Sequence, residues 1–119
     1  MAKKRTIENK EFAIGIGRIA LHSNCTDVTV VDLKGKSPAT DYFVIATGTS
    51  SRQSRTVADE IFEFARQNNH ERFGQAGYDM GKWILIDYVD VVVHIFDEEY
   101  RNYYNLEMLW GDAEKLQIE

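Results

Sequence analysis

Residues 83–110 read WILIDYVDVVVHIFDEEYRNYYNLEMLW, and this stretch limits the possible folds more than any other. Its first half holds two apolar, largely β-branched runs: Trp83, Ile84, Leu85 and Ile86, then Val91, Val92, Val93, His94, Ile95 and Phe96. Between them lies the polar break Asp87-Tyr88-Val89-Asp90, a pattern that predicts a β-hairpin. Neither run alternates cleanly, which predicts strands covered on both faces. The second half changes period. Tyr103, Leu106 and Trp110 recur at i, i+3, i+7, and Tyr100, Tyr104 and Met108 at i, i+4, i+8. One helix is therefore expected, capped by Asp97, with Glu98 and Glu99 at its positive end and Gly111 closing it. Tyr103, Leu106 and Trp110 would face the core. Arg101, Tyr104 and Glu107, at i, i+3, i+6, share a different face.

The rest of the chain supplies partners for that stretch. From about residue 6 to 22, Phe12, Ile16, Ile19 and Ala20 form one apolar helical face, with Thr6 as a cap. Gly15 and Gly17 inside it each cost about 1 kcal/mol relative to Ala, so packing must hold this helix or another element must come close. Residues 28–33 and 42–46 read as strands. The short turn between them, which carries Pro38, predicts an antiparallel pair. Thr47-Gly48-Thr49-Ser50-Ser51 leads into a second helix with Val57, Ile61, Phe64 and Ala65 on its apolar face. Ser50 and Gln53 match a capping box, and the helix should end near Asn68-Asn69. A short strand is expected within residues 72–78, where Gly74, Gly77 and Gly81 blur its limits. The charged tail, residues 112–119, is expected to be ordered only in part. The order α-β-β-α-β-β-β-α predicts one domain, 1–119, of the α/β (α+β) class: a single mixed sheet of about five strands with helices packed against it.

Bulk properties narrow the function. No apolar run approaches the ~20 residues of a membrane span. Lys3, Lys4 and Arg5 are not followed by an apolar segment, so the start does not read as a secretory signal. Cys25 is the only cysteine, which rules out an intrachain disulfide framework and suits a reducing cytoplasm. The net charge of −5 gives no general attraction to nucleic-acid phosphates and favours a basic protein partner.

Catalytic readings are weak. Nucleotidyl transfer needs a Gly-Ser opening and then paired carboxylates that clamp two metal ions. Gly48-Thr49-Ser50 loosely offers the opening, but residues 72–78 hold no acidic pair, and Asp87 and Asp90 lie late and across a turn. The strand-loop-helix arrangement around Ser50 has the form of an anion site, while Ser50 and Ser51 read first as helix caps. His22, His70 and His94 show no metal-ligand spacing, and no nucleophile-base pair can be assigned. No metal or cofactor is expected. The aromatics Trp83, Tyr88, Tyr100, Tyr103, Tyr104 and Trp110 supply core, and also the makings of an interface hot spot. Their neighbours Asp87, Asp90, Asp97, Glu98, Glu99 and Glu107 are acidic, whereas RNA stacking would want Lys and Arg there.

W-x-L-I-D-Y-x-D-V-V-V-H-x-F followed by E-x-R-x-Y-Y-x-L-E-x-L-W resembles the ribosomal silencing factor (Iojap) family, as does D-Y-F-V-I-A-T-G-T-S-S-R-Q at residues 41–53. Val89 departs from the pattern, since the family usually has Gly between Tyr88 and Asp90. The resemblance implies a fold similar to the nucleotidyltransferase core and a non-enzymatic function. It implies docking on the large ribosomal subunit through ribosomal protein fourteen, which blocks joining of the small subunit and represses translation when nutrients are short. It raises His94 to a contact residue. The expected partner-binding set is Trp83, Asp87, Tyr88, Asp90, His94, Arg101, Tyr104 and Glu107. A homodimer is compatible with this reading, while sequence-specific nucleic acid and membrane are not expected partners. A large-subunit assembly factor using the same surface, and a nucleotidyltransferase, are the alternatives.

Overall fold

A computed structural model of the protein describes residues 7–119, so the Thr6 cap expected above lies outside the described residues. The elements are α1 (Asn9–His22), β1 (Thr26–Asp32), β2 (Tyr42–Thr47), α2 (Ser51–Gln67), β3 (Gly74–Ala76), β4 (Trp83–Asp87), β5 (Val91–Phe96), α3 (Glu98–Tyr104), a 3-10 turn (Leu106–Trp110) and β6 (Glu114–Leu116). They build one mixed sheet in the order β3-β4-β5-β2-β1-β6. Only the central β2–β5 pair is parallel, and α2 lies on the connection that crosses over between these strands. β1 and β2 are antiparallel, as their short link predicts, and β4 and β5 form the expected hairpin.

Strand alternation sorts the side chains by face. Val30, Val44, Ile84, Ile86, Val93 and Ile95 point to one face and are buried there with Phe12, Ile16, Val57 and Ile61 of α1 and α2. The glycines of α1 permit this packing. A Cβ on Gly15 would come within 2.5 Å of the Phe64 ring, and one on Gly17 within 2.8 Å of Val30. Close approach of helix, sheet and neighbouring helix therefore offsets the low helical propensity of both residues. The α2 cap forms as expected: the Ser50 hydroxyl accepts from the Gln53 amide at 3.0 Å. The Gln53 side chain reaches back to the Thr49 amide at 3.0 Å, one residue earlier than in the usual box.

Three expectations are corrected. The sheet has six strands, because β6 pairs with β1, with Val30 opposite Leu116. The tail is thus tied down, and the Arg18 side chain donates to the Ile118 carbonyl at 2.7 Å. Second, the helix after Asp97 is broken. Asp97 caps it, accepting from the Tyr100 amide at 2.8 Å, but Asn105 adopts φ 46° and the chain restarts as the 3-10 turn. Asn tolerates the left-handed region, and its amide bonds the Arg101 carbonyl, so the residue closes the helix in the manner of a C-terminal cap. The turn rotates the expected core face away: Tyr103 is 81% exposed, and Leu106 and Trp110 are only half-buried. Third, α1 and α2 cover one face of the sheet, and the other is covered only in part.

The β4–β5 turn is tight although it lacks glycine. Val89 sits at φ 73°. The Asp90 amide bonds the Tyr88 carbonyl at 2.9 Å, and the Asp87 carboxylate accepts from the Val89 amide at 2.7 Å. A β-branched residue is strained in this region, by roughly 1–3 kcal/mol, whereas glycine is not. Val89 is half-exposed, so little packing would be lost with its side chain. Val89→Gly should stabilise the protein by about 1 kcal/mol after the entropy of the unfolded glycine is subtracted. Urea unfolding of the two proteins measures it, and a loss of stability would mean that the turn holds no such strain.

Candidate docking face

The second face of the sheet is built from three rows that follow from the strand registers. Trp83 lies opposite Phe96, and Phe96 beside Thr47. Leu85 lies opposite His94, and His94 beside Ile45. Asp87 lies opposite Val92, then come Phe43 and Val31. Trp83, Leu85, Val92 and Phe43 are half-buried, so this face is apolar and partly open. Its cover is aromatic. The Tyr104 ring lies 4.6 Å from Trp83, and Trp110 meets Phe43 edge-on at 6.0 Å. Beyond it the 3-10 turn exposes Met108 and Leu109, and α3 exposes Tyr103.

The eight residues expected to bind a partner divide by burial. Asp90 and Tyr104 are exposed, while Trp83, Asp87 and Glu107 are half-buried. Tyr88, His94 and Arg101 are buried. Tyr88 turns to the helical side, where the Phe12 ring meets it edge-on at 5.1 Å. Burial pushes its hydroxyl pKa up to about 12, against a lowering influence from Arg72. The Asp90 carboxylate accepts from the Asn9 side-chain amide, at the start of α1, at 3.2 Å. Tyr88 and Asp90 therefore shape the hairpin end, and the aromatic face is carried by Trp83, His94 and Tyr104.

Arg101 ties α3 to the sheet. It donates to the Thr47 hydroxyl at 2.9 Å and to the Asp27 carbonyl, and reaches the Glu107 carboxylate at 3.5 Å. The pairing of β1 with β2 is irregular between Thr26 and Thr29, and Asp27 at φ 48° sits in that bulge. A bulge re-aims a backbone group, here the carbonyl that Arg101 takes. Glu107 thus belongs to the anchoring of α3 rather than to a free outer face.

His94 is an imidazole among apolar neighbours. Its Nδ1 accepts from the Trp83 indole N–H at 3.1 Å. Phe43 flanks the ring edge-on at 4.7 Å and Phe96 stacks beside it at 5.9 Å. With no charge to favour the imidazolium, burial lowers its pKa to about 4. It is neutral at physiological pH.

Phe43, Leu85 and Val92 were missed as candidates. Their signal was present: an antiparallel sheet residue left apolar on a face without a helix above it is either core or interface. The sequence alone did not say which face lacked the helix.

A mixed sheet with helices on one side and a partly open aromatic face on the other places the chain among small α/β domains built on a single sheet. The chain belongs to the ribosomal silencing factor family: the family model described as "Ribosomal silencing factor during starvation" matches residues 6–119. The ribosomal silencing factor RsfS of Bacillus subtilis (strain 168) is 44% identical over 87 residues, covering 73% of this chain and 74% of that protein. Two crystal structures share the fold. One, of a protein from Chromobacterium violaceum, superposes with a TM-score of 0.83 at 28% identity and covers 88% of both chains. The other, from Bacillus halodurans, gives a TM-score of 0.77 at 33% identity, covering 92% of this chain and 99% of that one. Among the described residues no helix is long and apolar enough to cross a membrane.

Proposed function

We propose that the protein docks on the large ribosomal subunit through ribosomal protein fourteen and sterically blocks joining of the small subunit, repressing translation when nutrients are short. The observation that carries this reading is the half-open face of Trp83, Leu85, Val92 and Phe43 beside the acidic residues Asp87, Asp97, Glu98 and Glu99. An apolar centre beside acidic groups suits a basic protein surface, where hot-spot aromatics supply contact and the charges supply steering. The family description and the name of the Bacillus subtilis relative support a ribosomal target. Occupying a joining surface requires no chemistry, because the competition is one of binding. The protein then acts in the compartment that holds its ribosomes, the cytoplasm.

Charge reversal tests it. Glu98 and Glu99 are exposed, so Glu98→Lys combined with Glu99→Lys should leave the fold standing. The double variant should bind purified large subunits about tenfold more weakly, and the loss should shrink as salt rises. Parent-like pelleting with large subunits at low salt would place the contact surface elsewhere. Tight binding of the parent to free RNA with a steep salt slope would point to phosphate contacts instead.

A further inference from the structure

His94 is 95% buried by its 5% exposure, yet it stands in the middle of the face proposed to dock. Its two nitrogens are not equivalent. The Trp83 indole can only donate, so the nitrogen it meets, Nδ1, must be the unprotonated one. The proton of the neutral ring therefore sits on Nε2. That nitrogen is buried and has no hydrogen-bond partner among the described residues. Buried polar groups are nearly always paired, and one left unpaired in a native fold calls for an explanation. An apolar residue would suit the spot better for stability, since the strand neighbours across it are Leu85 and Ile45. The side chain that flanks the imidazole without bonding it is Phe43, half-buried and edge-on to the ring at 4.7 Å, and its displacement would uncover His94 while leaving the Trp83 bond intact.

From this geometry we infer that the Nε2–H of His94 is the specificity donor of the docking face, held ready for an oxygen acceptor that the docked protein inserts beside Phe43. The inference rests on the docking reading and adds the chemistry of one contact. The acceptor is a neutral oxygen, a backbone carbonyl or a side-chain amide or hydroxyl. The chain's net charge of −5 disfavours a carboxylate there. Trp83 is a positioning residue, because its bond to Nδ1 selects the tautomer that carries the proton on Nε2.

Two measurements test it. Imidazole nitrogen chemical shifts of the free protein at neutral pH should show His94 as the Nε2–H tautomer, and Trp83→Phe should mix the two tautomers. Binding to purified bacterial large subunits is then compared for the parent, His94→Phe and His94→Gln. Phe keeps a ring but offers no donor, and should bind roughly tenfold more weakly, the cost of an acceptor buried without its donor. Gln carries an amide N–H at a similar reach and should recover most of that loss. Thermal melts confirm that the variants are folded. An Nδ1–H tautomer overturns the inference whatever the binding shows. So does a His94→Phe protein that binds like the parent, or a His94→Gln protein no better than Phe. A parent that does not pellet with large subunits while showing the Nε2–H tautomer would instead overturn the docking reading itself.

Discussion

Replacing Arg101 with methionine should lower the unfolding free energy by about 3 kcal/mol. Methionine keeps most of the length and the apolar contacts of the stem, so what it removes is the charged head. That head is buried and holds together three parts of the chain: the Asp27 bulge in β1, the Thr47 end of β2, and Glu107 in the 3-10 turn. Hydrogen bonds to a charged group contribute roughly 1.5–3 kcal/mol each when a buried partner is left behind, and these losses overlap. The Glu107 carboxylate would be stranded with one oxygen already unpartnered. The same change should loosen α3 and with it Tyr104 over Trp83, so docking should weaken even where the protein remains folded. Urea unfolding and large-subunit pelleting on one preparation measure both. A loss below about 1 kcal/mol would show that α3 is held by its aromatic contacts rather than by Arg101.

Acid should destabilise the protein between pH 6.5 and 4, and His94 should account for most of the effect. The folded pKa is lowered to about 4 by burial, against an ordinary value of 6.5. Above pH 6.5 the imidazole is neutral in both states and its contribution to stability is intact. As pH falls below 6.5 the unfolded chain takes up a proton that the folded protein refuses, so stability declines until the folded ring also titrates near pH 4. The shift corresponds to about 3 kcal/mol over that window. His94→Phe should flatten the decline, and should be at least as stable as the parent at pH 5. An unchanged slope would assign the acid sensitivity to carboxylates.

Much of this architecture was legible in the sequence, because the features that specify it are local. Two β-rich runs around a polar break gave the β4–β5 hairpin, and Ser50 and Asp97 announced the helices they cap. The glycines of α1 announced close packing through their cost to the helix. What was not legible depends on tertiary partners. β6 is three residues long, and its one apolar residue, Leu116, carries too little pattern to outweigh the charges around it. The break at Asn105 was hidden because helical spacing continues through it on paper. Only its left-handed backbone shows that Tyr103 and Leu106 cannot share one buried face. The candidate site was legible as a set of aromatics and acids. Its division into exposed contacts, a hairpin frame and a buried anchor was not, since Arg101 gains its role from Asp27 and Thr47, 74 and 54 residues away.

The most direct measurement is sedimentation of mixed large and small ribosomal subunits with increasing amounts of the protein. Steric silencing predicts that the joined-ribosome peak falls, free subunits rise, and the protein travels with the large subunit alone. A joined peak that stays constant while the protein remains bound to large subunits would contradict silencing and leave an assembly role on the same surface.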